Sequence, residues 1–197
     1  MAQQFILAPG AVNASFSDSR SINFIDFNED GWIDLFVSNG LEGGQKDLFY
    51  LNNGEGFLQS VELGDLTNSE LPSDGASFAD FNNDGLLDAA VSSWYGAPDL
   101  VYLNNGNGQL LKQDNKELGI VPGSYAETAA FGDYNEDGLL DLYITNNLSS
   151  GRNYLYRNLG NGKFEWMKDH ILVSATKPSR GAIWLDYNND GHTDLFV

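Results

Sequence analysis

Four stretches of nine residues hold the side chains best suited to chemistry in this sequence. Each reads Asp, aromatic, Asn, any residue, Asp, Gly, two variable residues, Asp, and they begin at positions 26, 80, 133 and 186. Oxygen donors at this spacing point to a hard divalent cation, and calcium takes about 6–8 oxygens at ~2.3–2.6 Å. Positions 1, 3 and 5 converge when the chain coils tightly, and Gly at position 6 allows the sharp turn without a Cβ penalty. Position 7 offers its backbone carbonyl and position 9 a last carboxylate. The expected ligands are Asp26, Asn28, Asp30, Trp32 and Asp34 in the first loop and Asp80, Asn82, Asp84, Leu86 and Asp88 in the second. In the third they are Asp133, Asn135, Asp137, Leu139 and Asp141, and in the fourth Asp186, Asn188, Asp190, His192 and Asp194. Asp, Asn and Gly also gather in ordinary turns, but four copies in register, each with three carboxylates that would repel one another without a cation, favour a metal.

A helical calcium loop shares the first half of this pattern, but it needs an acid at position 12 and a helix after it. Position 12 here is Val37, Val91, Ile144 and Val197, and strand formers follow every loop: Leu35-Phe36-Val37, Ala89-Ala90-Val91, Leu142-Tyr143-Ile144 and Leu195-Phe196-Val197.

The elements that must position these loops repeat with them. The loops recur at intervals of 54, 53 and 53 residues, a period that signals a repeat architecture. Before each loop, alternation of apolar residues predicts a strand: Ser21–Ile25, Gly75–Ala79, Glu127–Gly132 and Gly181–Leu185. The strand after each loop is apolar on both faces, as in a strand covered on two sides. A third strand is expected at Asp47–Asn52, Asp99–Asn104 and Asn153–Asn158, ending in Gly-containing turns such as Asn53-Gly54 and Asn105-Gly106, and a fourth at Gly56–Leu63, Gly108–Lys112 and Lys163–Met167. Four antiparallel strands per repeat predict an all-β fold, a β-propeller of four-stranded blades.

The loop pattern, followed by Leu155-Tyr156-Arg157-Asn158-Leu159-Gly160-Asn161-Gly162, resembles the FG-GAP/VCBS repeat family, the calcium-binding propeller repeat also found in integrin α-subunit heads. Gly96-Ala97-Pro98 is similar to the tripeptide that names the family, whereas Glu42-Gly43-Gly44 and Ser149-Ser150-Gly151 stand at the corresponding places. The resemblance implies bound calcium, an extracellular or cell-surface location, and adhesion or ligand binding. Phe5 precedes its loop by nearly the same distance as Phe57, Leu110 and Phe164 precede theirs, so it reads as a fourth strand without its own blade. The chain is expected to be one propeller piece over residues 1–197, with three whole blades plus parts of others, an incomplete ring whose open edges allow self-association.

Composition narrows the function. The chain of 197 residues has a net charge of −18 and no cysteine, which excludes disulfides and thiolate metal sites and disfavours nucleic acid as a partner. No apolar run reaches the ~18 residues of a membrane span, and the first residues do not read as a signal peptide. The two histidines, His170 and His192, have no triad partner marked by motif, and the acid pairs suited to general acid/base work are taken up by the loops, so a non-enzymatic role is expected. The ligand would be a protein or a glycan. The alternatives are a lectin and the scaffold of a polysaccharide lyase or hydrolase; a lyase would need basic residues, of which there are only 10 with no evident cluster. Trp94 and Tyr95 in a blade connection, with Tyr125, are the candidate ligand contacts. Asn13 and Asn147 begin glycosylation-type triplets.

Overall fold

A computed structural model describes residues 17–120, 125–149 and 151–197; Phe5 and Asn13 lie outside the described residues. In chain order the strands of the first repeat are β1 (Ser19–Ile25), β2 (Asp34–Asn39), the two-residue β3 (Gln45–Lys46), β4 (Leu48–Asn52) and β5 (Leu58–Val61). A helical turn, α1 (Asp65–Asn68), and β6 (Glu70–Leu71) lead to the second repeat: β7 (Ser73–Ala79), β8 (Asp88–Ser93), β9 (Leu100–Asn104) and β10 (Leu110–Lys112). After α2 (Asn115–Leu118) come β11 (Ala126–Gly132), β12 (Asp141–Asn146), β13 (Tyr154–Asn158) and β14 (Phe164–Trp166). A 3₁₀ turn, Ile171–Val173, precedes β15 (Ile183–Leu185) and β16 (Asp194–Phe196).

β3 and β6 pair as a short separate ribbon, and the other strands form three four-stranded antiparallel sheets, β1-β2-β4-β5, β7-β8-β9-β10 and β11-β12-β13-β14, and a two-stranded sheet of β15 and β16. These are the three whole blades and the two strands that the repeat predicts. The first strands of successive sheets run against one another, so they form the inner edge of the arc and the fourth strands the outer edge. Approach there is close: a Cβ added to Gly75 of β7 would stand 2.3 Å from the Glu127 carbonyl of β11.

The core lies between the sheets. Phe27, Phe36 and Phe49 of the first pack on Ala89, Val91, Leu100 and Tyr102 of the second. The other face of the second sheet puts Phe81, Ala90 and Val101 against Leu142, Ile144 and Tyr156 of the third. Tyr143 and Leu155 then meet Trp184 and Leu195 of the last sheet. Successive residues of β8 thus serve opposite interfaces, which is why β2, β8 and β12 are buried at every position. Each such large side chain contributes roughly 1.5–3 kcal/mol when fully buried.

Two features depart from the expected strand pattern. The first strands of the three blades begin one or two residues earlier than expected, because each carries a bulge, between Ser19 and Ser21, Ser73 and Ala76, and Ala126 and Ala129. A second-strand hydroxyl fills each bulge: Ser38, Ser92 and Thr145 accept the N–H of Ser21, Gly75 and Thr128 at 3.0, 2.8 and 3.0 Å. The long blade links, for which the repeat predicts no element, each contain a helical turn that buries one apolar side chain: Leu66, Leu118 and Val173. Asp114 caps α2 by accepting the Lys116 N–H at 2.8 Å, and His170 Nδ1 accepts the Leu172 N–H at 3.3 Å. His170 is therefore a structural cap. Among the described residues no helix is long and apolar enough to cross a membrane.

Candidate metal loops and ligand face

The four loops share one coil. The position-four residues Glu29, Asn83, Glu136 and Asn189 have φ of 58°, 60°, 59° and 59°, and the glycines after position five have φ of 86–88°. Asp26 accepts the N–H of Asp30 and Gly31 at 3.1 and 2.9 Å, Asn28 accepts that of Asp30 at 3.2 Å, and Asp30 accepts that of Trp32 at 2.8 Å. The Asn28 amide donates to Asp30 at 2.9 Å. Every one of these bonds recurs in the loops led by Asp80, Asp133 and Asp186. The aspartate at position 1 thus winds the loop around its own carboxylate, and the Gly at position 6 is the donor that completes the coil.

The position-nine aspartates belong to the sheets. Asp34, Asp88 and Asp141 are fully buried at the start of the second strands. Burial, and after the hydrogen bonds the neighbouring loop carboxylates, push the carboxyl of Asp88 up to about 7 and that of Asp141 up to about 6, and raise that of Asp34. One oxygen of each accepts a backbone N–H from the end of the third strand: Asn52 at 2.8 Å, Asn104 at 2.9 Å and Asn158 at 2.7 Å. The other oxygen accepts from Phe27 and Tyr134 at 3.1 Å in the first and third loops; in the second the Phe81 N–H donates to the Ala79 carbonyl at 3.1 Å, and the Asp88 Oδ2 is buried with no hydrogen-bond donor among the described residues.

Sequence reasoning gave these asparagines no role, yet they join the loop to the blade. Their amides donate to the carbonyls of Ile33, Leu87 and Leu140 at 3.1, 3.2 and 2.9 Å, and their Oδ1 atoms accept the N–H of Gly54, Gly106 and Gly160 at 3.0, 3.0 and 2.9 Å. The signal was there to read: an Asn stands 18, 16 and 17 residues after each of the three position-nine aspartates. Position 7 also does more than vary freely. Trp32 lies over Gly54, where an added Cβ would meet its ring at 2.6 Å, and Leu86 and Leu139 lie over Gly106 and Gly160 more loosely, where it would meet them at 3.7 and 3.9 Å. In the fourth repeat, His192 instead contacts Glu136 of the preceding loop through its ring Nδ1.

The donor set suits a hard cation, since it is entirely oxygen and each loop carries three carboxylates in its sequence. As the side chains stand, the position 1, 3 and 5 oxygens are turned onto the loop's own N–H groups. Among the described residues no group of three or more His, Cys, Asp or Glu is close enough to hold an ion. The structure therefore supplies the coil and the chemistry, and a bound ion would require these side chains to turn inward.

The loops joining first to second strands and the turns joining third to fourth strands lie at one end of the blades. At the opposite end, the structure gathers the three expected ligand contacts. The Trp94 ring stands edge-on to Tyr95 at 5.7 Å and to Tyr125 at 5.5 Å. Trp94 is half-buried and bridges the second and third blades, while Tyr95 is exposed with φ of 56°, a strained value for a bulky residue. Asn147, of the glycosylation-type triplet, uses its amide to donate to Glu127 at 2.6 Å.

Comparison with known proteins agrees with this geometry. The FG-GAP-like repeat matches three times, over residues 26–91, 80–144 and 133–197. The chain belongs to the FG-GAP-like repeat family. Each match runs from one acidic loop through the next, so the family unit is one loop, its blade and the following inner hairpin. No curated protein matches the chain. Among solved structures it is similar to an Agrocybe aegerita lectin, described as specifically recognising non-reducing terminal N-acetylglucosamine, at 18% identity and a TM-score of 0.53. That likeness covers 90% of this chain and 46% of the lectin chain, so the FG-GAP-like chain spans about half of it. At this identity the likeness speaks for the fold, an incomplete propeller.

Proposed function

We propose that this chain is a calcium-stabilised propeller module of an extracellular or cell-surface protein, and that it binds a glycan or protein through the face opposite the acidic loops, without catalysis. The observation that carries the reading is the division of labour between the two ends of the blades. One end repeats an acidic coil four times and wires it into the sheets through Asn52, Asn104 and Asn158. The other end places Trp94, Tyr95 and Tyr125 together on connections that differ from blade to blade, as ligand-binding loops on a rigid scaffold do. Asp26, Asn28, Asp30 and Asp34, with their counterparts, would hold calcium; when bound, it supplies charge compensation for three carboxylates per loop.

A glycan is favoured over a protein by the exposed Tyr95 beside a fixed Trp, since aromatic faces offer flat apolar area with little ordering to lose. The lectin likeness supports the same choice. The test is a glycan panel and a calcium titration on the same protein. Tyr95→Ala and Tyr125→Ala should weaken ligand binding by about tenfold or more while leaving calcium affinity unchanged. Loss of binding only on changing loop-face residues such as Glu29→Lys would place the ligand on the other end.

A further inference from the structure

The acidic loops number a second set of residues that the reading above does not use. Arg20, Asp74, Glu127 and Arg180 each stand six residues before the first aspartate of their loop, at Asp26, Asp80, Asp133 and Asp186. Arg20, Asp74 and Glu127 lie at the start of β1, β7 and β11, and Arg180 three residues before β15, so the four occupy equivalent places at the ligand-face end of the blades, around the axis of the arc. Their charges run plus, minus, minus, plus. The main chain is pinned there: the Ser38 hydroxyl donates to the Asp74 carbonyl, and Thr128 and Thr145 donate to the Arg180 carbonyl at 2.8 and 3.4 Å.

The side chains are held but not closed on one another. Glu127 accepts the Asn147 amide at 2.6 Å and stands 3.8 Å from the Arg180 guanidinium, which is itself 77% exposed. Arg20 spends one nitrogen on the Gly40 carbonyl at 3.3 Å. Asp74 lies between them half-buried, and among the described residues no side-chain or backbone donor bonds to its carboxylate. Burial first, then the charge of Glu127, push its carboxyl up to about 6, and Arg20 and Arg180 act against that shift without bonding to it. Neither oxygen of Asp74 is among the fully buried atoms that lack a partner, so a ligand hydroxyl or a water can reach the carboxylate and supply the donor it lacks.

We propose that Asp74, Glu127, Arg20 and Arg180 form an axial binding site for a neutral sugar residue, whose adjacent hydroxyls donate to Asp74 and accept from Arg180 or Arg20. This rests on the ligand-face reading and names the chemistry of the ligand. The argument is one of matching. A cation would be drawn to Asp74 and Glu127 but repelled by two flanking guanidinium groups, and an anion would meet the reverse. A hydroxyl both donates and accepts, so a pair of hydroxyls satisfies carboxylate and guanidinium together. The aromatic platform adjoins the site in the chain: Tyr125 is two residues before Glu127, about 6–7 Å along an extended strand. The Trp94 backbone N–H donates to the carbonyl of Pro72, two residues before Asp74, at 2.9 Å. A sugar chain seated on Tyr95 thus has a polar anchor within the reach of its next residue.

The test is calorimetric titration at saturating calcium with chitotriose, lactose and mannobiose, and with sialyllactose and glucosamine as anionic and cationic counterparts. Wild type should bind at least one neutral probe and prefer it to both charged ones. Asp74→Asn, which keeps the shape, should weaken that binding about 10- to 100-fold. Arg180→Gln alters a side chain that is 77% exposed, and should weaken it about threefold or more. Wild-type affinity in both variants, with Tyr95→Ala impaired, overturns the axial site and leaves the aromatic platform standing. Wild-type affinity in all three overturns both. Preference for a charged probe, or binding to none of the neutral ones, also overturns the proposal.

Discussion

Burial lifts the Asp47 carboxyl to about 7, although it accepts the Asn39 N–H at 2.8 Å and the Ser73 hydroxyl at 2.9 Å, both of which pull it down. Its folded value therefore lies above the unfolded one of 3.8. The stability it lends is fully present below that lower value and is lost as pH rises towards 7, because the folded form must then release a proton it holds more tightly than the unfolded chain does. The size of this loss is about 2–3 kcal/mol between pH 5 and 8. The third blade shows the remedy. Asn153 occupies the same place, accepts the Asn146 N–H at 2.9 Å, and donates to Tyr143 and Ser179 at 2.9 and 3.0 Å. Asp47→Asn should keep the Asn39 bond and donate to Ser73 in turn. Chemical denaturation of both proteins from pH 5 to 8 should show the variant losing less stability with rising pH, by roughly 2 kcal/mol; parallel curves would mean that Asp47 stays ionised in the folded state.

At the scale of elements, the third strand matters for what its last residue ties together. The Asn158 amide reaches both Leu140 of its own loop and, at 2.7 Å, the Phe81 carbonyl of the preceding blade, whereas among the described residues the Asn52 amide has no such second acceptor. Asn158→Ala should therefore destabilise by about 2–4 kcal/mol and Asn52→Ala by about 1–2 kcal/mol, measured by urea denaturation. The helical turns make a parallel case. Leu66 is fully buried between the first and second blades, so Leu66→Ala should cost about 2–5 kcal/mol although it lies in a four-residue turn. A loss under 1 kcal/mol would mean that the link does not plug the interface.

These elements mark how far the sequence could be read. The inner hairpins and sheets were legible because the acidic loop fixes register and the alternation on either side has one solution. Asn52, Asn104 and Asn158 were visible as a repeat, but their role depends on the third strand ending beside the loop, a three-dimensional fact. The plugs Leu66, Leu118 and Val173 were not legible at all. Each is one apolar side chain in a link whose other residues are unalike, so no period reveals it. The gathering of Trp94 and Tyr125, 31 residues apart, follows from blade stacking and could be expected only in outline.

For the whole molecule the decisive quantity is how much of its stability comes from the loops. A site filled at a hundredfold excess of calcium over Kd adds roughly 2.7 kcal/mol, and one filled only to a few times Kd adds nearer 1 kcal/mol. Several such sites acting on one arc of blades would be a large share of a marginal total. They should not contribute equally. Asp141 is fully buried and bonded to Asn158 of the third strand, so losing the loop that it closes loosens two blade interfaces. Asp194 is half-buried and among the described residues accepts only the Tyr187 N–H, at 3.2 Å. Calorimetry on wild type with and without a calcium chelator should show a fall in Tm of several degrees, since about 1 kcal/mol moves the midpoint of a chain this size by roughly 2–4 °C. Asp137→Ala should take away most of the calcium-dependent gain that its loop provides, and Asp190→Ala much less. A melting curve indifferent to chelator in wild type would remove calcium from the account of this fold, and equal effects of the two substitutions would show that the third strand does not strengthen the loop.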